Sequence, residues 1–457
     1  MSAQTAEQLS FEFFPHLPIV VQQDSGQLSS DAGLLPLRQF DQRWNYTARM
    51  AQCLHDPKPS RQQPLLVMLR QRLFGILAGY EDCNDHDTLR NDPVFKLVAG
   101  RLPEEEALAS QPTLSRFENL ATPAVLQKLI DFLIATGIER LKQKHGGQLP
   151  DSIVLDLDAT DDTTHGNQQL TLFHGYYGQY QYFPLVISEP TTQHVFVVWL
   201  RHGTAHAALG ADDDLMRVVN ALRAHRPDIR IHVRGDAGFG MPWMYQVCED
   251  NGLSYTFGFS TNARLRTLSE PLMQQAVRQY EQTQEKARLF ECFQYQCESW
   301  EHPRTVVAKA ECHAGGTNLR FVVTSLPDIR SATQGQTTYD DYIQRGQSEQ
   351  RLDELKNGLG MDRLSCHRFL ANFFRLILHT AAFNLLSAVR DATELPEVLR
   401  VGQPCTWRTM VIKVAAQIAQ TTRRVVVRLA GNWPWWSLYC AVARHTLAFG
   451  CASPCAP

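Results

Sequence analysis

The chain has 457 residues, of which 44% are hydrophobic and 20% charged, and a formal net charge of −3. That balance excludes a disordered or collagen-like chain and suits one large domain with insertions or two to three smaller ones. The slightly acidic total excludes nucleic-acid binding through bulk charge, so any phosphate contact has to come from local clusters. Such clusters stand at Arg217/Arg223/Arg226/Arg230/Arg234, Arg363/His367/Arg368/Arg375 and Arg408/Lys413/Arg423/Arg424/Arg428, although solvated helix faces account for about half of such groupings. Eleven cysteines are scattered without a CxxC pair. Cys451 and Cys455 give only a weak metal or disulfide hint, and Cys248, Cys292 and Cys297 read as small apolar residues. Without a secretory signature, the expectation is a reducing cytoplasm.

In chain order, residues 1–30 carry no clear period and read as a tail. From 31 to 148 the pattern is mostly helical. Over 63–79, Leu65, Met68, Leu69, Leu73 and Ile76 recur at helical spacing, with Arg70 and Arg72 expected to face outward or grip phosphate. A second amphipathic helix is expected over 123–145, with Thr122 as its cap, Pro123 at its first position and Gly146-Gly147 at its end. After Pro150 the texture changes to strands alternating with helices. Strands are expected over 152–158, 169–175, 182–188, 194–200, 228–234 and 253–259, and helices over 212–225 and 242–252. That alternation indicates an α/β core. Residues 266–332 break the rhythm and read as a mostly β insertion, with a hairpin turning at Ala314-Gly315-Gly316-Thr317. Helix returns over 338–390. Residues 394–457 read as a basic, aromatic helical segment; its apolar run 425–449 is interrupted by Arg428, Asn432, Pro434 and Arg444, too polar to span a bilayer.

Three acidic positions stand out, each where a core element ends or turns. Asp156 and Asp158 share one face of the strand 152–158 because side chains alternate with period two. Acids inside an apolar strand are costly unless they are paired or bind a metal. Asp236 follows a strand directly, in Arg234-Gly235-Asp236-Ala-Gly238-Phe239. The third is Glu349, in Tyr342-Ile-Gln-Arg345-Gly-Gln-Ser-Glu349, with Lys356 further on. On a continuous helix at about 100° per residue, Tyr342, Arg345, Glu349 and Lys356 fall on one face. Asp353 is the rival acid on that face. Two divalent ions can clamp the attacking and leaving oxygens of a phosphodiester displacement, and three carboxylates suit that task. His165, His174, His202 and His206 carry no H-E-x-x-H pattern, so zinc is disfavoured. No Walker A or dinucleotide fingerprint is present, and Ser-His-Asp catalysis has no G-x-S-x-G support. A glycosidase pair would leave Arg345 and Lys356 without a role.

The order Leu-Asp156-Leu-Asp158-Ala-Thr-Asp-Asp-Thr-Thr-His165-Gly166, Phe173-His-Gly175-Tyr-Tyr177-Gly, Arg234-Gly-Asp236-Ala-Gly238-Phe239 and Tyr342…Arg345…Glu349…Lys356 resembles the DDE-type bacterial insertion-sequence transposases, specifically insertion sequence family 1380. The resemblance runs from about residue 150 to 390 and touches Ser30-Asp-Ala-Gly33 and Gly79-Tyr-Glu-Asp82…Arg90. It implies an α/β fold whose ribonuclease H-like catalytic core (149–265 and 333–393) is interrupted by a β-rich insertion (266–332). A helical N-terminal DNA-binding region (31–148) precedes it, and the helical C-terminal segment (394–457) follows.

The resemblance further implies Asp158, Asp236 and Glu349 as the catalytic, metal-holding acids, with Asp158 preferred to Asp156 through the family's Asp-x-Thr pattern. Tyr342, Arg345 and Lys356 are implied as DNA contacts. The implied cofactor is Mg²⁺, with Mn²⁺ able to substitute, and the implied partner is double-stranded DNA: inverted-repeat ends and target. A homodimer on DNA, in a bacterial cytoplasm at the nucleoid, is expected. A domesticated, inactive DNA-binding protein and a plain nuclease of the same fold are the alternatives.

Overall fold

The computed structural model describes residues 9–11, 19–21, 26–57 and 62–450; Cys451 and Cys455 lie outside them. The chain divides into two compact units, one made of residues 1–47, 59–114 and 394–457, the other of 48–58 and 115–393.

The second unit is built on one eight-stranded sheet. In chain order its strands are β1 (Ser152–Ala159), β2 (Leu185–Glu189), β3 (His194–Trp199), β4 (Arg230–Gly235), β5 (Ser254–Phe259), β6 (Ala287–Tyr295), β7 (Arg304–His313) and β8 (Gly316–Thr324). They lie in the order β6-β7-β8-β5-β4-β1-β2-β3. β1, β2 and β3 form an antiparallel meander, while β1, β4 and β5 are parallel neighbours. The five-strand order 3-2-1-4-5, with only β2 reversed, is the ribonuclease H-like arrangement. Val195, Phe196, Val197 and Val198 on β3 are completely buried, as a near-continuous apolar run requires when both sheet faces are covered.

The helices of this unit are α1 (Pro123–Lys144), α2 (Ala211–His225), α3 (Pro242–Asp250), α4 (Ala263–Thr283), α5 (Ala332–Ile343), α6 (Gly346–Asp353) and α7 (Phe369–Arg390). The Thr122 side chain caps α1 by accepting from the Val125 N–H, and Pro123 occupies the first turn. α7 is apolar and long enough by composition to cross a membrane, but it is buried as a core helix. α1 and α7 both pack on β3. Gly137 makes the α1 approach possible: a Cβ there would come within 2.6 Å of both His194 and Phe196.

The segment expected to be mostly β opens on α4, a 21-residue helix with Pro271 inside it. Its three strands extend the core sheet, because β8 pairs antiparallel with β5. The expected strand 182–188 is two strands, Gln179–Tyr182 and β2, separated at Phe183-Pro184. Proline cannot donate to the ladder, which places the break.

His194 on β3 is fully buried, its Nε2 2.9 Å from the Leu133 carbonyl oxygen and its Nδ1 3.5 Å from an Arg140 guanidinium nitrogen. Burial, then Arg140, lowers its pKa to about 3. Because the folded value is depressed, the neutral ring contributes stability above about pH 6.5 that is lost as the pH falls toward 3, at up to about 1.4 kcal/mol per pH unit. Urea unfolding at pH 7, 5 and 4 should show this decline, and His194→Gln should have a shallower slope over the same range.

The first unit, taken alone, contains helices Leu34–Trp44, Leu65–Ala78, Pro93–Ala99 and Trp436–Ala448. The stretch read as a tail holds an antiparallel pair, Leu9–Phe11 with Ile19–Val21, and Leu28–Ser29, which pairs with Ala416–Gln420. The C-terminal segment, expected to be helical, also contains the antiparallel hairpin Ala416–Gln420/Val425–Leu429. Arg70 and Arg72 do not face outward: both are buried. Arg70 donates to the Thr47 hydroxyl at 3.0 Å, and Arg72 donates to the Glu81 carbonyl at 2.8 Å and sits 3.2 Å from His86 Nε2. Asp31, from the Ser30-Asp-Ala-Gly33 motif, is buried against the Lys413 ammonium at 2.6 Å and the Tyr80 hydroxyl at 3.1 Å. These motif residues therefore hold the unit's core together.

Candidate active site

Every candidate site residue lies in the second unit. In the parallel register, Arg234 stands opposite Asp156 and Gly235 opposite Leu157. Asp236, one residue beyond, therefore leaves the sheet beside Asp158. Its Oδ1 accepts from the Gly238 N–H at 2.8 Å, which closes the turn.

The two β1 acids, equivalent in the sequence pattern, have different surroundings. Asp156 is completely buried between two arginines. It accepts from Arg234 Nε at 2.8 Å and Nη2 at 3.2 Å, and from Arg351 Nη2 at 3.0 Å. Asp158, two residues on, accepts from the Ser348 hydroxyl at 2.5 Å and from Arg345 at 3.3 Å. Burial pushes its pKa up to about 6, with Arg345 and Ser348 opposing and the negative charges of Asp236 and Glu349 adding. Asp158, and not Asp156, thus shares the Arg345 side chain with Glu349.

The segment that brings Glu349 to Asp158 is not one continuous helix. α5 ends at Ile343, and the amides of Arg345 and Ser348 bond three residues back, to Tyr342 and Arg345, before and within the start of α6. After Asp353 the chain continues as a π-helical turn, Glu354–Gly358. The tighter link places Arg345, Ser348 and Arg351 on the sheet side. Arg345 bridges Asp158 and Glu349, at 3.3 and 2.9 Å. Burial opposes its charge, but Asp158 and the neighbouring groups hold its pKa above the ordinary arginine value. Glu349 itself is exposed.

Tyr342 packs beneath: the Arg345 guanidinium carbon lies 5.8 Å from its ring centroid. Its hydroxyl lies against Gly258, where a Cβ would come within 2.8 Å of that oxygen and 2.7 Å of the Ala237 nitrogen. Burial raises the Tyr342 pKa, with Arg345 opposing. Lys356 faces the loop after β1 instead, donating to the Asp161 carboxylate at 3.1 Å and carbonyl at 2.8 Å. Asp353, the rival acid, is exposed and accepts from the Asn357 amide. Beside the loop, Asp162 is buried with both carboxylate oxygens lacking a hydrogen-bond partner, and burial raises its pKa well above the usual range.

Three residues that organise the site were not singled out by pattern: Ser348 and Arg351, which tie α6 to Asp158 and Asp156, and Arg234 as the partner of Asp156. For Ser348 and Arg351 the signal lay in the i, i+3 spacing of Arg345, Ser348 and Arg351, which is one helix face. Most of the remaining basic clusters are engaged internally. Arg217 pairs with Asp131, Arg226 with Asp151 and Asp228, and Arg375 with the buried Glu118. Arg423, Arg424 and Arg428 face solvent. His202 and His206 turn to the Thr204 hydroxyl and the Ala208 amide.

The family model described as "Transposase DDE domain group 1" matches residues 11–447. The chain belongs to that family. No curated protein matches it. Among solved structures it is similar to the cryo-EM structure of a piggyBac transposase synaptic complex with hairpin DNA. The TM-score is 0.41 at 10% identity, over 79% of this chain and 75% of the other.

DDE transposases cut DNA with divalent metal ions, and the donor set here is of the right chemistry. Asp158, Asp236 and Glu349 offer hard carboxylate oxygens, and the negative charges of Asp236 and Glu349 add to the burial that raises the Asp158 pKa. Among the described residues of this DDE transposase, no three His, Cys, Asp or Glu side chains are drawn together into a metal-binding group. The positive charge between Asp158 and Glu349 is Arg345.

Proposed function

We propose that the chain is the transposase of an insertion sequence of the family 1380 type: it binds the inverted-repeat ends of its own element, cuts them, and joins the freed 3′-hydroxyls to target DNA. One observation carries this reading. Asp158 and Asp236 reach the same end of the sheet through the β1–β4 register, and α6 is fastened to Asp158 through Ser348 and Arg345, so that Glu349 belongs to the same electrostatic neighbourhood.

In this reading Asp158, Asp236 and Glu349 are the catalytic acids and the metal ligands. Magnesium ions held there, or manganese in their place, would lower the pKa of a water nucleophile and offset charge on the leaving oxygen. Ser348 and Arg345 orient Asp158. Arg345 brings a permanent positive charge to the position where a scissile phosphate meets three carboxylates, so it both contacts DNA and limits repulsion. Tyr342 fixes Arg345 from below through its ring. Lys356, anchored on Asp161, contacts the DNA backbone beside the β1 loop. Double-stranded DNA is the partner, two copies of the chain act on paired ends, no ATP is consumed, and the work is done at the nucleoid.

The test is strand transfer. Purified chain is given Mg²⁺, a supercoiled plasmid and a duplex that carries the gene-flanking end with its 3′-hydroxyl already exposed. Joined products that contain the end sequence support transposition. Cutting of the plasmid without joining would reduce the protein to a nuclease, and binding without either reaction to an inactive descendant. In the same system Arg345→Ala should slow end cleavage about 10²-fold, as removal of a preorganised charge typically does. It should also lower the salt slope of end binding by about one.

A further inference from the structure

Beside the carboxylates stands a feature that the reading above leaves without a role. A small antiparallel sheet of Asp162–Thr163, Gln179–Tyr182 and Leu172–His174 carries a hairpin whose rings are turned to solvent. Phe173, Tyr177 and Tyr180 are 40–60% exposed and Tyr176 is 87% exposed. Tyr176 meets Tyr177 edge-on at 5.0 Å, and Phe173 meets Tyr180 edge-on at 5.5 Å, so neither pair is stacked face to face. Exposing several large rings together is unfavourable and marks an interaction surface.

Two observations identify the occupant. First, the hairpin adjoins the loop that follows Asp158. Gln179 donates to the Asp161 carboxylate at 3.1 Å, the same group that holds Lys356. The Tyr177 pKa is raised by burial, then by Asp161, with smaller contributions from Tyr176, Asp236 and Asp158. Second, the hairpin is electrically neutral, since residues 163–188 contain no Asp, Glu, Lys or Arg. A neutral surface next to carboxylates offers phosphates nothing. It suits uncharged aromatic faces, and a base presents its face only when it is unpaired or unstacked.

We propose that the 172–180 hairpin is a stacking platform for unpaired DNA bases next to the scissile phosphate, with Tyr176 and Phe173 as its principal rings. This rests on the transposase reading, because it takes the neighbouring acids as the place of cutting. It adds a substrate requirement: the DNA must be locally opened at the cut, and the platform holds it open. Stacking contributes affinity without counterion release, so its share of binding is insensitive to salt.

The test compares wild type, Tyr176→Ala, Phe173→Ala and Tyr176→Trp as full chains. Binding is read by fluorescence anisotropy on a thymidine oligonucleotide and on a duplex of equal length, at several salt concentrations. Tyr176→Ala should weaken single-strand binding about 10-fold, the order of one lost base stack, with an unchanged salt slope and unchanged duplex affinity. Tyr176→Trp should restore it. In cleavage, Tyr176→Ala should be slow on a fully paired end and recover on an end with mismatched bases at the cut. Equal losses on both DNAs, no loss on single strands, or a change of oligomeric state in place of DNA affinity would each overturn the platform. If wild type binds single strands through Tyr176 but cuts neither end, the transposase reading fails while the binding arm still decides the platform.

Discussion

Asp158→Asn is expected to abolish DNA cleavage, by at least about 10³-fold, while making the metal-free protein more stable at pH 7. Asp158 is buried, and its pKa is pushed up to about 6 by that burial, with Asp236 and Glu349 adding. The native state therefore binds more protons than the unfolded state between about pH 4 and 6. The contribution of this group to stability is full below pH 4 and is lost as the pH rises through 6. At pH 7 the ionised carboxylate costs up to about 3 kcal/mol. Asparagine keeps the shape and an acceptor for the Ser348 hydroxyl, removes the charge, and leaves Arg345 paired with Glu349. Thermal unfolding in EDTA should show a higher midpoint for the variant at pH 7 and a smaller difference at pH 4.5. A lower midpoint at pH 7 would mean that Asp158 is a structural acid.

Asp156→Ala should have the opposite profile, a loss of roughly 3–5 kcal/mol, as expected when one member of a buried ion cluster is removed. Its carboxylate lies between the Arg234 and Arg351 guanidiniums, all three groups at most 5% exposed. Alanine would remove the carboxylate between two buried cations, leaving Arg234 with Asp341 at 3.4 Å and Arg351 with the Ser188 hydroxyl at 3.4 Å. Urea unfolding reads this directly, and the double variant Asp156→Ala/Arg351→Leu should recover part of the loss by removing one stranded charge. If Asp156→Ala were stable and inactive, the assignment of the two strand acids would have to be exchanged.

That pair also shows what could be read from sequence. Period-two alternation put Asp156 and Asp158 on one face and could go no further, because the groups that separate them come from far along the chain. Arg234 is 78 residues from Asp156, Arg351 is 195, and Ser348 is 190 from Asp158. The apolar runs of β1, β3 and β4 and the helices α1 and α2 were legible because burial and periodicity decide them locally.

The 342–356 segment was read at a uniform helical pitch. Its chemistry is grouped, but by a tight link before Gly346 and a π turn after Asp353. Docking on the sheet sets those departures, and propensity does not record them. α4 is hidden in the sequence because Pro271 and a polar composition look like a break, and the 416–429 hairpin because arginines flank Val425-Val426-Val427, a β-branched run. The buried Arg70 and Arg72 carry the same lesson: charge in sequence does not say whether a guanidinium meets solvent or a carbonyl.

The measurement closest to the central claim is cleavage of a duplex that carries this gene's own flanking DNA, in Mg²⁺ and in EDTA, with wild type beside Glu349→Gln. Cuts are expected at the element ends that need the metal and vanish in the variant, while the variant still binds the same duplex. Cuts that persist in EDTA or in Glu349→Gln would remove Glu349 and the metal from the cleavage step.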